Sequence, residues 1–543
     1  MSDVELSDFV DDGGKNQKLG ETPTKEDLSK LRRVADRIPI TAWYIVACEL
    51  CERFTYYGVQ GPMQNYIQFP PQPKPGGQPG ALGKGEQAAT SINLFFFFFC
   101  YVTPLFGAVM ADRYLGKYKT IIIFSLIYVV GLVVLTVTSI PAAITSGVSL
   151  PGLVIAIIII GIGTGGIKSN VGPMVADQYR PKQPYIKVLP SGERVIADPK
   201  LTVQTIFAWF YLAINIGGLA PILTTLVEKH HSFWLAYLIP TVMMVFGILI
   251  FISGRRTYYK APPSTSVIAD SFSVMKVAFV RGKSLENAKA SNVPVNLHAK
   301  YRVNWDDNFV NDLKSALEAC RVFVFYPIYW CCYNQMYNNL ISQAATMNTG
   351  SLPNDIMNNF DPLTLLFMIP LFEKVIYPFL RSKGLPLKPV TRIFIGFLLS
   401  AVAMGYAAIL QRVVYNTGPC YDHPLCKEAD VPNDISVYWQ IPVYVIVAIS
   451  EIFASITGLE YAYQKAPPSM RSLVTALFLT TTAFGSILGY AIVPLAVDPY
   501  LPYMYSLLAG IMVITACVFY SLFRKYDLQE EFEEEITEKE IVE

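Results

Sequence analysis

Two carboxylates and a guanidinium occur close together within a long apolar segment of the chain. Glu49, Glu52 and Arg53 fall within residues 41–67, which are long enough to cross a bilayer. At 100° per residue, the helical face that they share also carries Tyr56, Tyr57 and Gln60. Because each charge at the centre of a spanning helix costs roughly 2.5 to 3.5 kcal/mol, this face must avoid lipid. The pattern predicts a pathway for an ion or a substrate.

The composition is typical of a polytopic membrane protein. Of the 543 residues, 52% are hydrophobic and only 16% are charged. Because a bilayer crossing needs about twenty apolar residues, we predict an all-α protein with twelve transmembrane helices. The predicted spans lie near 41–67, 87–111, 118–139, 151–177, 202–226, 232–253, 317–345, 358–380, 391–412, 437–464, 472–496 and 502–523.

The distribution of basic residues predicts the orientation. Lysine and arginine are concentrated in alternate connections and sparse in the others, which places both termini in the cytoplasm by the positive-inside rule. A long polar connection separates two groups of six spans, as in the major facilitator superfamily, where the substrate binds between the two halves. The predicted parts are a cytoplasmic N-terminal tail (1–38), a six-helix bundle (39–253), a cytoplasmic central loop (254–316), a second six-helix bundle (317–524) and an acidic cytoplasmic tail (525–543).

The connection after the second span resembles the cytoplasmic gating signature of major facilitators. It reads Gly107-Ala108-Val109-Met110-Ala111-Asp112-Arg113-Tyr114-Leu115-Gly116-Lys117-Tyr118. We expect Asp112, Arg113 and Lys117 to pair with neighbouring helix ends and to stabilise one state of a rocking transporter. The alternative is that these charges only determine topology.

A lone lysine occurs in the fourth predicted span, after closely spaced glycines at 161, 163, 165 and 166. Glycines in a spanning helix permit close helix packing, and no soluble strand-turn-helix unit surrounds them, so we do not expect dinucleotide binding. Lys168 needs a carboxylate partner or an anionic ligand, and Glu49 or Glu52 is the expected partner. Glu451 lies in the opposite half from Arg53 and Lys168, so a central cavity between the halves would have a positive wall and a negative wall. That polarity would suit a zwitterion. A structural ion pair is the alternative role for Glu451.

Several motifs together resemble the proton-dependent oligopeptide transporter family. They are Glu49-x-x-Glu52-Arg53-Phe54-x-Tyr56-Tyr57-Gly58, Phe210-Tyr211-x-x-Ile214-Asn215-x-Gly217 and Pro-x-x-Trp330, together with the 107–118 segment. The resemblance covers nearly all of 40–525 and is greatest to fungal members. It implies the major facilitator fold and proton-coupled import of di- and tripeptides across the plasma membrane.

The resemblance also implies roles for individual residues. Arg53 and Lys168 would bind the peptide carboxylate, and Glu451 would bind its amino terminus. The remaining substrate-binding residues would be Tyr56, Tyr57, Tyr101, Asn215, Trp330 and Ser455. Glu49 and Glu52 would exchange protons, with coupling through Arg53, Lys168 and Glu451.

Five positions depart from the family pattern. Gln60 stands where many members have a second arginine, and Leu94 stands where animal members have a histidine. Asn334 replaces a common aspartate, Asp361 replaces a frequent asparagine, and Gly218 replaces a usual serine. We expect the first two departures to alter coupling or affinity.

The remaining sequence features concern cysteines, cofactors and alternative functions. Cys420 and Cys426 lie in one outward loop, where we predict a disulfide. No metal, ATP or other cofactor is expected, and the coupling ion would be the proton. We expect a monomer in the lipid bilayer that binds no nucleic acid and is not an enzyme. Transport of nitrate or another small anion, and a peptide-sensing receptor, remain alternatives.

Overall fold

The computed structural model describes residues 9–11, 16–18, 21–24, 27, 30–71, 78–263, 265–301, 303–383, 387–422 and 432–542, and only the backbone for 9–11, 16–18, 295, 299 and 528–542. These residues are predominantly helical, which confirms the predicted fold class. In the first half, the helices are Ile40–Gln60, Met63–Gln68, Glu86–Met110, Ala111–Leu115, Lys117–Thr138, Pro141–Thr145, Ser149–Lys168, Val171–Asp177, Pro199–Gly218, Ala220–His230 and Phe233–Ser253.

Helices also dominate the connection between the halves and the second half. The connection contains Val267–Val280, Leu285–Ala288, Ala290–Asn292, Val295–Tyr301 and Asp307–Ala319. The second half contains Cys320–Phe325, Tyr326–Tyr333, Asn334–Tyr337, Asn339–Ala345, Asn354–Asn359, Phe360–Leu371, Phe372–Ile376, Tyr377–Ser382, Pro389–Tyr415, Val437–Gln440, Ile441–Glu451, Ile452–Ile456, Thr457–Lys465, Pro468–Met470, Arg471–Tyr490, Val493–Leu495 and Leu501–Val542.

Ten helices in the described part of the chain are long and apolar enough to cross a membrane. We number them as span 2 (Glu86–Leu115), span 3 (Lys117–Thr138), span 4 (Ser149–Asp177), span 5 (Pro199–His230), span 6 (Phe233–Ser253), span 8 (Asn354–Ser382), span 9 (Pro389–Tyr415), span 10 (Val437–Lys465), span 11 (Pro468–Tyr490) and span 12 (Leu501–Asp527).

The other two predicted spans are also helical, and each differs from the ten for a physical reason. Span 1 (Ile40–Gln60) has 21 residues but carries the charges of Glu49, Glu52 and Arg53. Span 7 is formed by the four consecutive helices from Cys320–Phe325 to Asn339–Ala345. It is interrupted at Asn338, whose φ of −138° and ψ of −88° are not helical. The structure is therefore consistent with twelve spans.

The spans pack as two bundles. In the first bundle, span 1 packs on spans 5 and 6, and span 4 packs on spans 2 and 3. In the second bundle, span 9 packs on spans 10 and 12, span 7 on span 11, and span 8 on span 10. Spans 2 and 11, and spans 5 and 8, form contacts between the bundles. The largest buried apolar clusters follow this division, one in each bundle.

The glycines of span 4 allow this close packing. A Cβ atom at Gly163 would lie 2.6 Å from the Cβ of Tyr128 in span 3, and one at Gly165 would lie 2.5 Å from the Cβ of Thr103 in span 2. Neither position has room for a side chain without a shift of the neighbouring helix. The structure confirms the prediction that these glycines serve helix packing.

The connections contain short strands that the sequence analysis did not predict. β1 (Phe9–Asp11) and β2 (Asn16–Lys18) form an antiparallel pair. β5 (Arg194–Ala197) pairs with β3 (Arg33–Val34) in parallel and with β4 (Tyr185–Val188) antiparallel. β6 (Met347–Asn348) pairs with β7 (Asn433–Ser436). These strands form because backbone groups in connections must also find hydrogen-bond partners. They could not be predicted because such short runs show no clear alternation of apolar and polar residues.

Asp36 holds the segment before span 1 onto the connection between spans 4 and 5. Its carboxylate accepts hydrogen bonds from Lys187 Nζ at 2.6 Å and from the hydroxyl of Tyr185. Burial raises the pKa of Asp36, but the hydrogen bonds from Lys187 and Tyr185 leave it below its ordinary value. The predicted N-terminal tail is therefore attached to the first bundle near its end.

The two bundles are joined by hydrogen bonds at one end. We call the end where span 1 begins the tail end, and the opposite end the distal end. Direct side-chain hydrogen bonds across the distal end include Gln64–Ser342 (3.2 Å), Asn65–Asn354 (2.7 Å), Gln78–Thr349 (3.1 Å) and Thr90–Asn339 (2.9 Å). These groups are buried, so the distal end is closed to solvent in this structure.

Candidate functional site

Arg53 neutralises both glutamates of span 1. Its Nε lies 2.9 Å from Glu49 Oε1, and its Nη2 lies 2.6 Å from Glu52 Oε2. The side chains of Arg53, Glu49 and Glu52 are only 6%, 5% and 0% exposed. The helix places Glu49 one turn before Arg53, so the first pair follows directly from the sequence spacing. Arg53 thus has two negative partners within the protein.

Lys168 is placed differently from the prediction. We expected Glu49 or Glu52 to pair with it, but it forms no ion pair with either glutamate, and its ammonium has no hydrogen-bond partner among the described residues. Instead, the buried Nζ lies 3.4 Å from the centre of the Tyr101 ring. Arg53 takes both carboxylates because its guanidinium donates in two directions from the same helix. The ammonium of Lys168 therefore keeps hydrogen-bonding capacity for a ligand.

The predicted tyrosines lie between the two charged walls. Tyr56 stacks on Phe96, with ring centres 5.6 Å apart, and meets Tyr57 edge-on. The hydroxyl of Tyr57 is close enough to interact electrostatically with Arg53 on one side and with Glu451 on the other. Tyr101 has the same two charged neighbours. The structure thus places residues of spans 1, 2, 4 and 10 around one region between the bundles.

Two carboxylates form the opposite wall. Glu451 ends the helix Ile441–Glu451, and Asp361 lies in the first turn of Phe360–Leu371. They interact electrostatically with each other, and Tyr333 contacts both, with its hydroxyl 3.3 Å from Asp361 Oδ2. Glu451 Oε2 and Asp361 Oδ1 have no hydrogen-bond partner in the described part of the chain. This wall can accept hydrogen bonds from a cationic group.

Tyr333 was not predicted from the sequence as a functional residue. Tyr329, Tyr333 and Tyr337 recur every four residues and therefore share one face of span 7. Tyr329 also interacts electrostatically with Glu451 and Asp361. The repeated spacing was the available signal, but it is equally typical of an ordinary aromatic core.

The remaining predicted substrate residues lie in spans 5, 7 and 10. The side-chain amide of Asn215 donates to the carbonyl of Tyr211 at 2.8 Å, and the indole N–H of Trp330 donates to Thr481 Oγ1 at 2.9 Å. Trp330 also contacts Tyr333 edge-on, at 5.3 Å between ring centres. Ser455 lies in the π-helical segment Ile452–Ile456 directly after Glu451. Trp330 is therefore next to the acidic wall, whereas Asn215 is occupied by its own helix.

The predicted gating residues contact neighbouring elements at the tail end. Arg113 pairs with Asp270 of the connecting helix Val267–Val280, and Asp112 accepts a hydrogen bond from Ser266 at 3.2 Å. Lys117 Nζ lies 2.6 Å from Asp177, at the end of span 4. The helix Val267–Val280 packs on both span 2 and span 11. The predicted central loop therefore contains a helix that links the two bundles.

Three of the five positions that depart from the family pattern have ordinary packing roles. Leu94 packs on Gly489 of span 11, Asn334 donates to Ser486 at 3.3 Å, and a Cβ at Gly218 would lie 3.4 Å from Pro362. Gln60 differs from these three, because both polar atoms of its buried amide lack partners among the described residues. Asp361 belongs to the acidic wall described above.

Cys420 is buried and forms a disulfide bond. Its predicted partner, Cys426, lies outside the described residues, so the pairing stays a prediction. Within the described ranges, no group of three or more histidine, cysteine, aspartate or glutamate side chains could hold a metal ion.

Two six-span bundles with buried opposite charges at their interface define a secondary transporter of the major facilitator fold. Comparison with known proteins agrees: a family model described as the POT family matches residues 118–508. A peptide transporter of Candidozyma auris is 46% identical over 94% of this chain and 88% of its own length. A peptide transporter of Saccharomyces cerevisiae is 45% identical over 94% of this chain and 83% of its own.

A solved structure of a POT family transporter has the same fold. Its TM-score is 0.71 at 23% identity, over 91% of this chain and 99% of the solved chain. From the family match and the relatives together, this chain is a multi-pass membrane protein that belongs to the POT family.

Proposed function

We propose that this chain is a proton-coupled symporter that imports di- and tripeptides by alternating access. It acts as a monomer in the plasma membrane, with both termini in the cytoplasm, so that the distal end faces outward. The peptide binds between the two bundles with its carboxylate at the first bundle and its amino group at the second. Membership of the POT family and the names of the fungal relatives support the choice of peptides.

The unpartnered ammonium of Lys168 is the observation that carries the proposal. A buried cation without a hydrogen-bond partner is costly unless a ligand completes its site. Arg53 already has two carboxylate partners, so Lys168 is the group with capacity to bind the peptide carboxylate first. Arg53 joins it when a glutamate becomes protonated and releases the guanidinium.

The acidic wall distinguishes a zwitterion from a simple anion. Glu451 and Asp361 each present a carboxyl oxygen without a donor, opposite Lys168. An ammonium group at this wall would donate charge-assisted hydrogen bonds to both carboxylates. Nitrate would use Lys168 but would leave the acidic wall without a cation. The two-sided arrangement therefore favours peptides over nitrate as the cargo.

Glu49 and Glu52 are the proposed proton carriers of the import step. Both compete for the guanidinium of Arg53, so protonation of one leaves the other paired and frees a donor for the substrate. One proton moving down a pH unit and 100 mV contributes about 1.4 and 2.3 kcal/mol. These terms together permit roughly several-hundred-fold accumulation of a neutral peptide.

The test is uptake of labelled dialanine into liposomes that contain the pure protein, at external pH 6, with and without an inside-negative potential. We expect concentrative entry that a protonophore abolishes and that nitrate does not compete with. Lys168→Met should abolish this uptake. Lys314→Met, the same substitution at an exposed lysine of the connecting helix Asp307–Ala319, should leave it unchanged.

Other outcomes would select the alternatives. Nitrate entry or an anion-stimulated current without dialanine flux would identify an anion transporter and would leave Glu451 with a structural role. Tight dialanine binding with no flux in either direction would identify a peptide sensor. Dialanine uptake that is equal in Lys168→Met and the wild type would reject Lys168 as the carboxylate site.

A further inference from the structure

A second pair of acidic side chains is buried between the bundles, at the distal end. Glu228 lies in the last turn of span 5, in the helix Ala220–His230, and Asp355 lies in the first turn of span 8, in the helix Asn354–Asn359. They are 2% and 0% exposed, and their carboxyl groups are in hydrogen-bonding contact with each other. They are part of the contact surface that closes the distal end.

The hydrogen bonds around this pair leave two oxygen atoms without donors. The amide Nδ2 of Asn65 lies 3.0 Å from Glu228 Oε1, 3.2 Å from Asp355 Oδ2 and 2.7 Å from Asn354 Oδ1. Two amide hydrogens are therefore shared among three acceptors. Glu228 Oε2 and Asp355 Oδ1 find no donor in the described part of the chain. Two carboxyl groups in contact require a hydrogen between them, because two buried carboxylates repel.

The charges that face the pair lead to the same conclusion. Lys229 interacts with both carboxyl groups while its ammonium donates to the carbonyl of Leu352. The hydroxyls of Tyr237 and Tyr444 are the other titratable neighbours, and they are neutral at physiological pH. With both acids ionised, the cluster would carry a net charge of −1 in a buried interface. A single added proton makes the cluster neutral, which removes the cost of the buried charge.

We propose that Glu228 and Asp355 share one proton, and that this proton-binding site closes the distal end of the transporter. The two acids belong to different bundles, so opening of the distal end separates and hydrates them, and each then ionises independently. Closure brings them together and takes up a proton from the solution at that end. By linkage, a lower pH on that side favours the closed state by about tenfold per pH unit.

This site differs from the proposed import protons at Glu49 and Glu52, which lie on span 1 within the candidate site. It rests on the alternating access of the proposed function but not on its cargo. It would make closure depend on external protons even before a peptide has bound. The site therefore adds a second point at which the proton gradient acts on the cycle.

The test measures the distance between the bundles at the distal end. The full chain carries spin labels at Ser146→Cys in the first bundle and at Tyr438→Cys in the second, both exposed positions, with exposed Cys517 replaced by serine. Distance distributions are recorded in lipid nanodiscs without peptide, from pH 5 to pH 8. The readout is the ratio of the closed to the open population at each pH.

We expect the closed fraction of the wild type to rise as the pH falls. Glu228→Gln and Asp355→Asn each replace an ionisable partner with a neutral one that can still donate. In a plot of the logarithm of the closed-to-open ratio against pH, each variant should have a slope about one unit less steep than the wild type. The tenfold change in the ratio per pH unit that the shared proton causes would then be lost. Glu460→Gln, the same substitution at an exposed site of span 10, should keep the wild-type slope.

Two outcomes would overturn the proposal. One is a wild-type distance that does not change with pH. The other is a lower closed fraction in Glu228→Gln and Asp355→Asn at every pH with an unchanged slope, which would mean that the pair only packs the interface. A failure of the cargo assignment would look different: pH-dependent closure, altered in both variants, in a protein that transports no dialanine would support this site and reject peptide import.

Discussion

Removal of Arg53 tests whether charge balance holds the candidate site together. Glu49, Glu52, Arg53 and Lys168 together carry no net charge when all four are ionised. Arg53→Gln leaves two buried carboxylates facing a single ammonium, which forms no ion pair with either of them. We expect this variant to be strongly destabilised, because the lost charge is buried and the remaining charges lose their partner.

The magnitude follows from the two short contacts of the guanidinium. At 2.9 Å and 2.6 Å, each contact is worth about 6 kcal/mol by Coulomb's law with an effective dielectric constant of ~20. The desolvation of three buried charges offsets most of this energy. Removal of one partner from a buried ion pair typically costs about 3–5 kcal/mol, and we expect a loss of this size in the free energy of unfolding.

The assay is reversible unfolding in mixed detergent micelles, followed by circular dichroism. The double variant Glu52→Gln/Arg53→Gln restores neutrality, since only Glu49 and Lys168 remain charged. We expect it to recover about 2 kcal/mol or more of the loss while transporting no peptide. Arg412→Gln, at an exposed arginine, is the matched control and should change stability by less than about 0.5 kcal/mol.

A double variant that is no more stable than Arg53→Gln would contradict the role of charge balance. In that case, packing of the guanidinium, and not its charge, would account for the loss. A loss below about 1 kcal/mol in Arg53→Gln would place the ion pairs in the range of exposed pairs, contrary to their burial.

Three further predictions concern the proton carriers, the acidic wall and the N-terminal segment. Glu49→Gln or Glu52→Gln should abolish pH-driven dialanine accumulation but spare peptide exchange; unchanged accumulation in both variants would reject their assignment. Glu451→Gln should weaken transport of peptides with a free amino terminus more than that of amino-blocked peptides; equal losses would rule out the amino-group contact. Asp36→Asn should speed backbone deuterium exchange before span 1 at pH 7. Burial raises the pKa of Asp36 and the Lys187 contact lowers it, with a net decrease below 3.8. The exchange rates of the variant and the wild type should therefore converge as the pH falls through that lowered pKa. A difference in exchange rate that persists below it would contradict this account.

The membrane spans could be predicted from the sequence because lipid imposes a simple rule. Every backbone group must be paired within the segment, so a span is an apolar helix of known length. Span 7 shows where the rule loses precision, since its irregular backbone at Asn338 depends on contacts with other helices. The strands β3, β4 and β5 were missed because they lie in polar connections that lipid does not constrain.

The sequence alone determined which residues could take part in chemistry. A charged residue in an apolar helix is expensive wherever it lies, so Glu49, Glu52, Arg53, Lys168 and Glu451 could be selected without coordinates. The contact between Glu49 and Arg53 also followed from their spacing on one helix.

Only the tertiary structure decided which partner each charge takes. Lys168 lies over Tyr101 although two carboxylates were expected beside it, because the guanidinium of Arg53 holds both. The contact between Glu228 and Asp355 joins residues from opposite halves of the chain. Helical periodicity specifies neighbours within about one turn, whereas contacts between bundles depend on how whole helices pack. The sequence therefore identified the charged groups, and the packing of the two bundles determined how they are paired.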